Sequence, residues 1–203
     1  MYNCIFTGHC IEEQYCNTSC PVLAQTSYLL DLNGIPMNSP VFKMTETQLD
    51  KYQTILNEAA GKAVSVCVSS GDFTNPVADA LTYCAICNHW KGSQLHCAVY
   101  NLKFAQYLDD LQSTWSFNST GSDELNQVKI WTANARVLII SNLDFIHFKD
   151  FQSKTLLSLV QSRVGMDLTT IIVTPTISSL VGEGQFFARL TSILTKQKVG
   201  DNL

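Results

Sequence analysis

The 203-residue chain is 46% hydrophobic and only 15% charged, with a net charge of −4. This excludes a disordered, solvating chain. The charged fraction lies below the usual ~25%, as expected of a subunit whose surface is partly covered in an assembly. The acidic balance excludes nucleic-acid binding driven mainly by phosphate contacts, which leaves DNA contact at most to a local patch or to partners. No apolar run reaches the ~20 residues needed to span a bilayer.

The amino-terminal MYNCIFTGHC lacks the basic-then-apolar pattern of a secretory signal, so a cytoplasmic protein is expected. On that reading the sequons at Asn17 and Asn118 are chance matches. Residues 1–21 are cysteine-rich. Residues 22–33 form a short amphipathic helix, and GIPMNSP (34–40) reads as a linker or turn. Residues 45–60 are helical, with Thr45 or Thr47 as cap and Gly61 past the end.

From there strands and helices alternate. KAVSVCVSS (62–70) is a strand, and residues 75–92 are a helix with Pro76 in the first turn. LHCAVYNLK (95–103) is a strand, followed by a helix over 104–115. STGSDELNQ (119–127) is polar and reads as a loop. RVLIIS (136–141) and TTIIVTP (169–175) are near-continuous apolar runs, as in buried parallel strands. An amphipathic helix covers 148–164, and a further helix lies around 184–196. Strands separated by helices of ~10–15 residues imply βαβ units, a parallel sheet and helices on both faces, an α/β fold of three layers.

The eight cysteines fall into two sets. Cys4, Cys10, Cys16 and Cys20 lie close enough in sequence to close one tetrahedral thiolate site, with His9 as a possible substitute ligand. Zinc is the expected metal. The terminal Cys20-Pro21 keeps a [4Fe-4S] cluster as the alternative, although the spacing matches neither the C-x2-C knuckle of zinc sites nor the usual iron–sulfur runs. So few residues cannot build an apolar core, and a metal staple would order them. Cys84 and Cys87 share a face of an apolar helix, and Cys67 and Cys97 lie in buried strands. All four are expected to pack as small hydrophobes. His89 and His96 are surface residues or, with Cys87 or Cys97, a weaker second site.

The ordered series VCVSSGDFTNPVADALTYCAICN, LHCAVYNLKFAQYLDDL, VLIISNLDFI, LLSLVQSR, TTIIVTPTISSL and GQFFARL resembles the AAA+ domain of bacterial replicative-helicase loaders and of related transposition helper ATPases. The likeness spans roughly residues 60–195. It implies a P-loop α/β domain over 41–203, preceded by a Cys-rich metal-binding module and linker over 1–40. Some such loaders carry a zinc-binding amino-terminal domain that grips the helicase.

The catalytic motifs depart from the family. A working phosphate loop reads G-x-x-x-x-G-K-[ST]. Laying Gly71 on its first glycine puts Pro76 on the second, Val77 on the lysine and Ala78 on the hydroxyl residue. Pro76 has no N–H to give, Val77 no charge and Ala78 no metal ligand. Ser141 and Asn142 stand where the acidic Mg²⁺-binding residues belong, with Asp144 two residues on, and Thr176 replaces the sensor asparagine. No shift of register places a lysine after a glycine at that turn. Arg189 keeps the arginine-bearing position, either as a surface residue capping a helix end or as a group serving a partner's ATP site. Phe186 and Phe187 beside it are a docking patch or are covered by the first 60 residues.

The expectation is therefore a non-enzyme: a pseudo-ATPase that docks protein partners, such as a helicase or an ATPase neighbour, in a DNA replication, recombination or mobile-element complex. The alternatives are an active ATP-dependent helicase loader with an atypical loop, and an iron–sulfur or redox-sensing protein.

Overall fold

The computed structural model describes residues 21–36, 38–60, 62–68, 74–89, 99–114, 122–143 and 150–174. The helices are α1 (Pro21–Leu32), α2 (Glu46–Ala59), α3 (Thr74–His89), α4 (Phe104–Ser113), α5 (Ser122–Asn134) and α6 (Asp150–Val164), with a 3-10 turn at Pro40–Lys43. The strands are β1 (Val64–Val68), β2 (Val99–Lys103), β3 (Val137–Ser141) and β4 (Thr169–Thr174). They form one sheet in the order β1-β4-β3-β2, every pair parallel. The expected α/β class and parallel sheet are what the chain adopts. Among the described residues no helix is long and apolar enough to cross a membrane.

Strand alternation divides the core in two. Cys67, Val99, Ile139, Ile171 and Val173 face α1, α2, α3 and the 3-10 turn. Val64, Tyr100, Leu102, Leu138, Ile140 and Ile172 face α4, α5 and α6. Each strand is buried on both sides, which is why β3 and β4 read as unbroken apolar runs. The helix α2 starts with a capping box: the Gln48 amide donates to the Thr45 hydroxyl (3.4 Å), and the Thr45 amide donates back to Gln48 Oε1 (2.8 Å).

Two expectations give way here. Of the linker or turn expected over 34–40, the chain makes a turn packed into the α/β core rather than a free linker: Leu29, Leu30, Ile35 and Val41 lie in the same cluster as α3 and the sheet. The helix α1 ends in a Schellman turn, with Gly34 N–H to Asp31 O and Ile35 N–H to Leu30 O, both 2.9 Å. Gly34 supplies the required left-handed backbone (φ +64°), and a Cβ there would meet Lys103 Nζ at 2.6 Å. The turn drops Ile35, 0% exposed, onto Leu30. The second correction concerns 119–127, read as a loop. Residues 122–134 are helical, with Asp123 and Glu124 in the first turn and Leu125, Val128, Trp131 and Thr132 turned inward at helical spacing. Residues 1–20, the tail from 175 on and the segment 90–98 lie outside the described residues.

Candidate functional site at the carboxyl edge of the sheet

Open parallel sheets take ligands at the carboxyl ends of their strands. Here Val68, Thr174, Ser141 and Lys103 end their strands along one edge. Gly71, Asp144 and Thr176, which belong to that edge by sequence, lie outside the described residues, as does Arg189.

Several of the described residues at this edge are committed to packing. Val77 is 7% exposed and Ala78 0%, both in the cluster that α3 forms with the sheet. Pro76 is half-buried in the first turn of α3. Ser141 is buried, and its hydroxyl donates to Asn101 Oδ1 at 2.8 Å. The Asn101 amide donates to Asn33 Oδ1 at 2.6 Å, and Asn33 Nδ2 donates to Leu29 O at 2.7 Å. This polar chain ties the end of α1 to the outer strand β2 and on to β3. It also occupies a backbone donor on the edge of the described sheet, one way that edges are protected. Asn142 follows β3 with left-handed backbone (φ 58°), which asparagine tolerates better than most residues. Its buried Oδ1 has no partner among the described residues.

Lys103 brings a cation to the same edge. Its ammonium donates to Gly34 O at 3.3 Å and lies near Asp79. Burial pushes the Asp79 carboxyl up; Lys103 and the Ser39 hydroxyl, 3.4 Å away, pull it back down. Lys103 is on β2, three strand positions from β1, or roughly 14 Å at ~4.8 Å per strand. Sequence reasoning passed over Asn33, Asp79, Asn101 and Lys103. The available signals were an acid inside the apolar run VADALTYCAIC and an asparagine inside the strand VYNLK.

No group of three or more His, Cys, Asp or Glu residues gathers among the described residues. Cys4, Cys10, Cys16 and Cys20 lie outside them, as do Cys97, His96, Phe186 and Phe187. Cys67 and Cys84 are buried in the α3-side core, as expected of packing cysteines, and Cys87 is half-buried beside them. Burial pushes the Cys67 thiol up to about 11 and the Cys84 thiol up to about 12, the latter helped by Cys87 and Asp50. Neither is a nucleophile at neutral pH.

These thiols predict a pH dependence. Their folded values lie above the unfolded value of 9.0, so the stability they confer is complete below pH 9 and lost as pH rises toward 11–12. The urea midpoint is expected to fall from about pH 9 upward, with Tyr52, Tyr100 and Tyr107, whose phenols burial also pushes up, adding to the loss toward pH 10 and above. A Cys67→Ala/Cys84→Ala variant should show a shallower fall. An equal slope in the variant would show that the thiols are already accessible in the native state.

Compared with models of known protein families, the chain matches none. A comparison with curated proteins finds no match either.

Proposed function

We propose that this chain is a catalytically inactive AAA+-like assembly or adaptor subunit of a DNA replication, recombination or mobile-element complex. The observation that carries the reading is the burial of Val77 and Ala78. They stand where a phosphate loop needs a lysine and a hydroxyl, and here they face the core. Ser141, at the position of an Mg²⁺-binding acid, is likewise buried and spends its hydroxyl on Asn101. Phosphoryl transfer is positioning plus electrostatic stabilisation, and these side chains supply neither cation nor metal ligand. The parallel sheet is compatible with a P-loop domain.

In this reading Cys4, Cys10, Cys16 and Cys20 hold zinc, with an iron–sulfur cluster as the alternative metal centre. The segment they order docks a protein partner, a helicase or an ATPase neighbour, in the cytoplasm. Nucleotide control comes from the partner, and Arg189 is the residue that would reach across to it.

Calorimetry with ATP and Mg²⁺ on the purified chain tests the silent-ATPase reading. No heat of specific binding is expected, and micromolar binding would overturn it. Metal analysis of protein purified without chelator and without oxygen tests the centre. One zinc per chain is expected, lost on Cys10→Ser while the urea midpoint of the α/β core stays put. Absorbance near 400 nm with bound iron would identify the cluster instead, and neither metal would end the proposal of a metal module. Because α1 belongs to the α/β core, the effect of Cys10→Ser should be confined to residues preceding it.

A further inference from the structure

The strand β2 runs into α4 without a loop, so Tyr100 and Asn101 lie next to Gln106, Tyr107 and Asp110 on the following helix. The end of α1, Asp31 to Gly34, lines the same region. Between them is an open cleft of about 240 Å³. That is below the roughly 300–1,000 Å³ of sites that enclose cofactor-sized ligands, and it suits a single side chain.

Tyr100 lines the cleft and is only 8% exposed, its ring tilted against Trp131 at 5.6 Å. A buried tyrosine normally finds a hydrogen-bond partner for its hydroxyl, yet this hydroxyl bonds to none of the described residues. Asp110 lies close enough to push the Tyr100 phenol up, after burial itself. One Asp110 oxygen accepts from Gln106 Nε2 at 2.9 Å, which leaves the second for a ligand. Asp31, also in the lining, is exposed. Lys103, the one cation lining the cleft among the described residues, is drawn toward Gly34 O and Asp79. The cleft thus offers two carboxylates, a phenol oxygen with no partner among the described residues and a half-buried tyrosine ring.

We propose that this cleft receives an arginine side chain from a protein partner. The inference rests on the adaptor reading only in taking the partner to be a protein. A guanidinium matches the lining better than an ammonium. It is planar, forks toward carboxylates and stacks on an aromatic face such as Tyr107, and it sheds water at lower cost. Charge also favours it, since among the described residues the cleft carries two acids against one lysine, in a chain of net charge −4.

The test is an NMR titration of the full-length chain with N-acetyl-argininamide at low salt. Saturable shifts are expected at the amides of Tyr100, Gln106 and Asp110, with N-acetyl-lysinamide binding more weakly. Asp110→Asn should weaken arginine binding about tenfold, as for loss of a hydrogen bond to a charged group. Tyr100→Phe, which removes only the hydroxyl, should weaken it by a smaller factor and keeps the test valid if Asp110→Asn fails to fold. Shifts that stay linear with concentration, equal binding of the lysine probe, or full affinity in both variants would each overturn the proposal. ATP binding by the same protein would refute the silent-ATPase reading and leave this one standing.

Discussion

Replacing Arg163 with methionine is expected to cost about 3–5 kcal/mol of folding stability, the scale for breaking one side of a buried charged network. Arg163 lies in the last turn of α6 and is 0% exposed. Its guanidinium uses all five N–H groups. Nε donates to the Thr170 hydroxyl (2.9 Å), Nη1 to the carbonyls of Thr132 (2.7 Å) and Ala133 (3.5 Å), and Nη2 to those of Ala135 and Thr169 (both 2.8 Å). None of these partners is a carboxylate. The charge is balanced by the carbonyl end of α5, where the helix dipole is negative, and by the first residues of β4. Burial lowers the Arg163 pKa to about 10, so it stays protonated at neutral pH.

Methionine fills much of the space but orphans carbonyls that water cannot readily reach, at about 1–3 kcal/mol for each one left unsatisfied. Lysine keeps the charge with three donors and no fork, so Arg163→Lys should fall between wild type and Arg163→Met. Urea denaturation measures both. For a domain of this size the methionine variant should also melt about 6–20 °C lower. A loss under about 1 kcal/mol would mean that the carbonyls rehydrate and that the network adds little. Arg163 joins the end of α6 to the starts of β3 and β4, the edge of the sheet opposite the strands' carboxyl ends. Its work is to hold layers together, and it is out of reach of any ligand at the carboxyl edge.

Nothing local announces this role. An arginine in the last turn of an amphipathic helix reads as a partner for that helix's own dipole, whereas Arg163 serves the carbonyls of a different helix about thirty residues earlier. The same limit explains the Asn33–Asn101–Ser141 chain, whose members lie as far apart as residues 33 and 141 and share no periodicity. What was legible was what period and caps encode. The expected strands 136–141 and 169–175 are Val137–Ser141 and Thr169–Thr174, because strands buried on both faces leave an unbroken apolar signature. The helix expected over 45–60 is Glu46–Ala59, fixed by the Thr45 cap. Failures came where composition masked period. In α5 the polar run SDELNQ hides a stripe of Leu125, Val128 and Trp131. At 34–40 glycine and prolines suggested a linker or turn without deciding between them; Gly34 makes the turn and Ile35 anchors it in the core. Of the proposed site, the loss of loop chemistry at Val77, Ala78 and Ser141 could be read from residue types. That those side chains are buried could not.

Burial turns that loss into a sharper prediction. If Val77 and Ala78 were ligand-facing positions that had merely mutated, Val77→Lys with Ala78→Thr would restore part of a phosphate loop at little cost to the fold. The structure predicts the opposite. Val77, Ala78, Ala80, Leu81, Tyr83, Cys84, Ala85 and Ile86 are all buried, so α3 is covered on one side by the sheet and on others by α2 and the 3-10 turn. A lysine at 77 must either carry its charge into that core or lose its proton there. A threonine at 78, where alanine is 0% exposed, adds a methyl and a hydroxyl to closed packing, which by itself typically costs about 1–3 kcal/mol. The pair should destabilise the domain by about 3 kcal/mol or more. It should give no ATP-dependent heat in calorimetry with Mg²⁺, because Pro76 still withholds its amide and Ser141 is still no carboxylate. Denaturant unfolding and nucleotide titration of the same preparation check both halves. A double variant that kept wild-type stability and gained ATP affinity would place these residues at a surviving nucleotide site and remove the physical basis for a silent subunit.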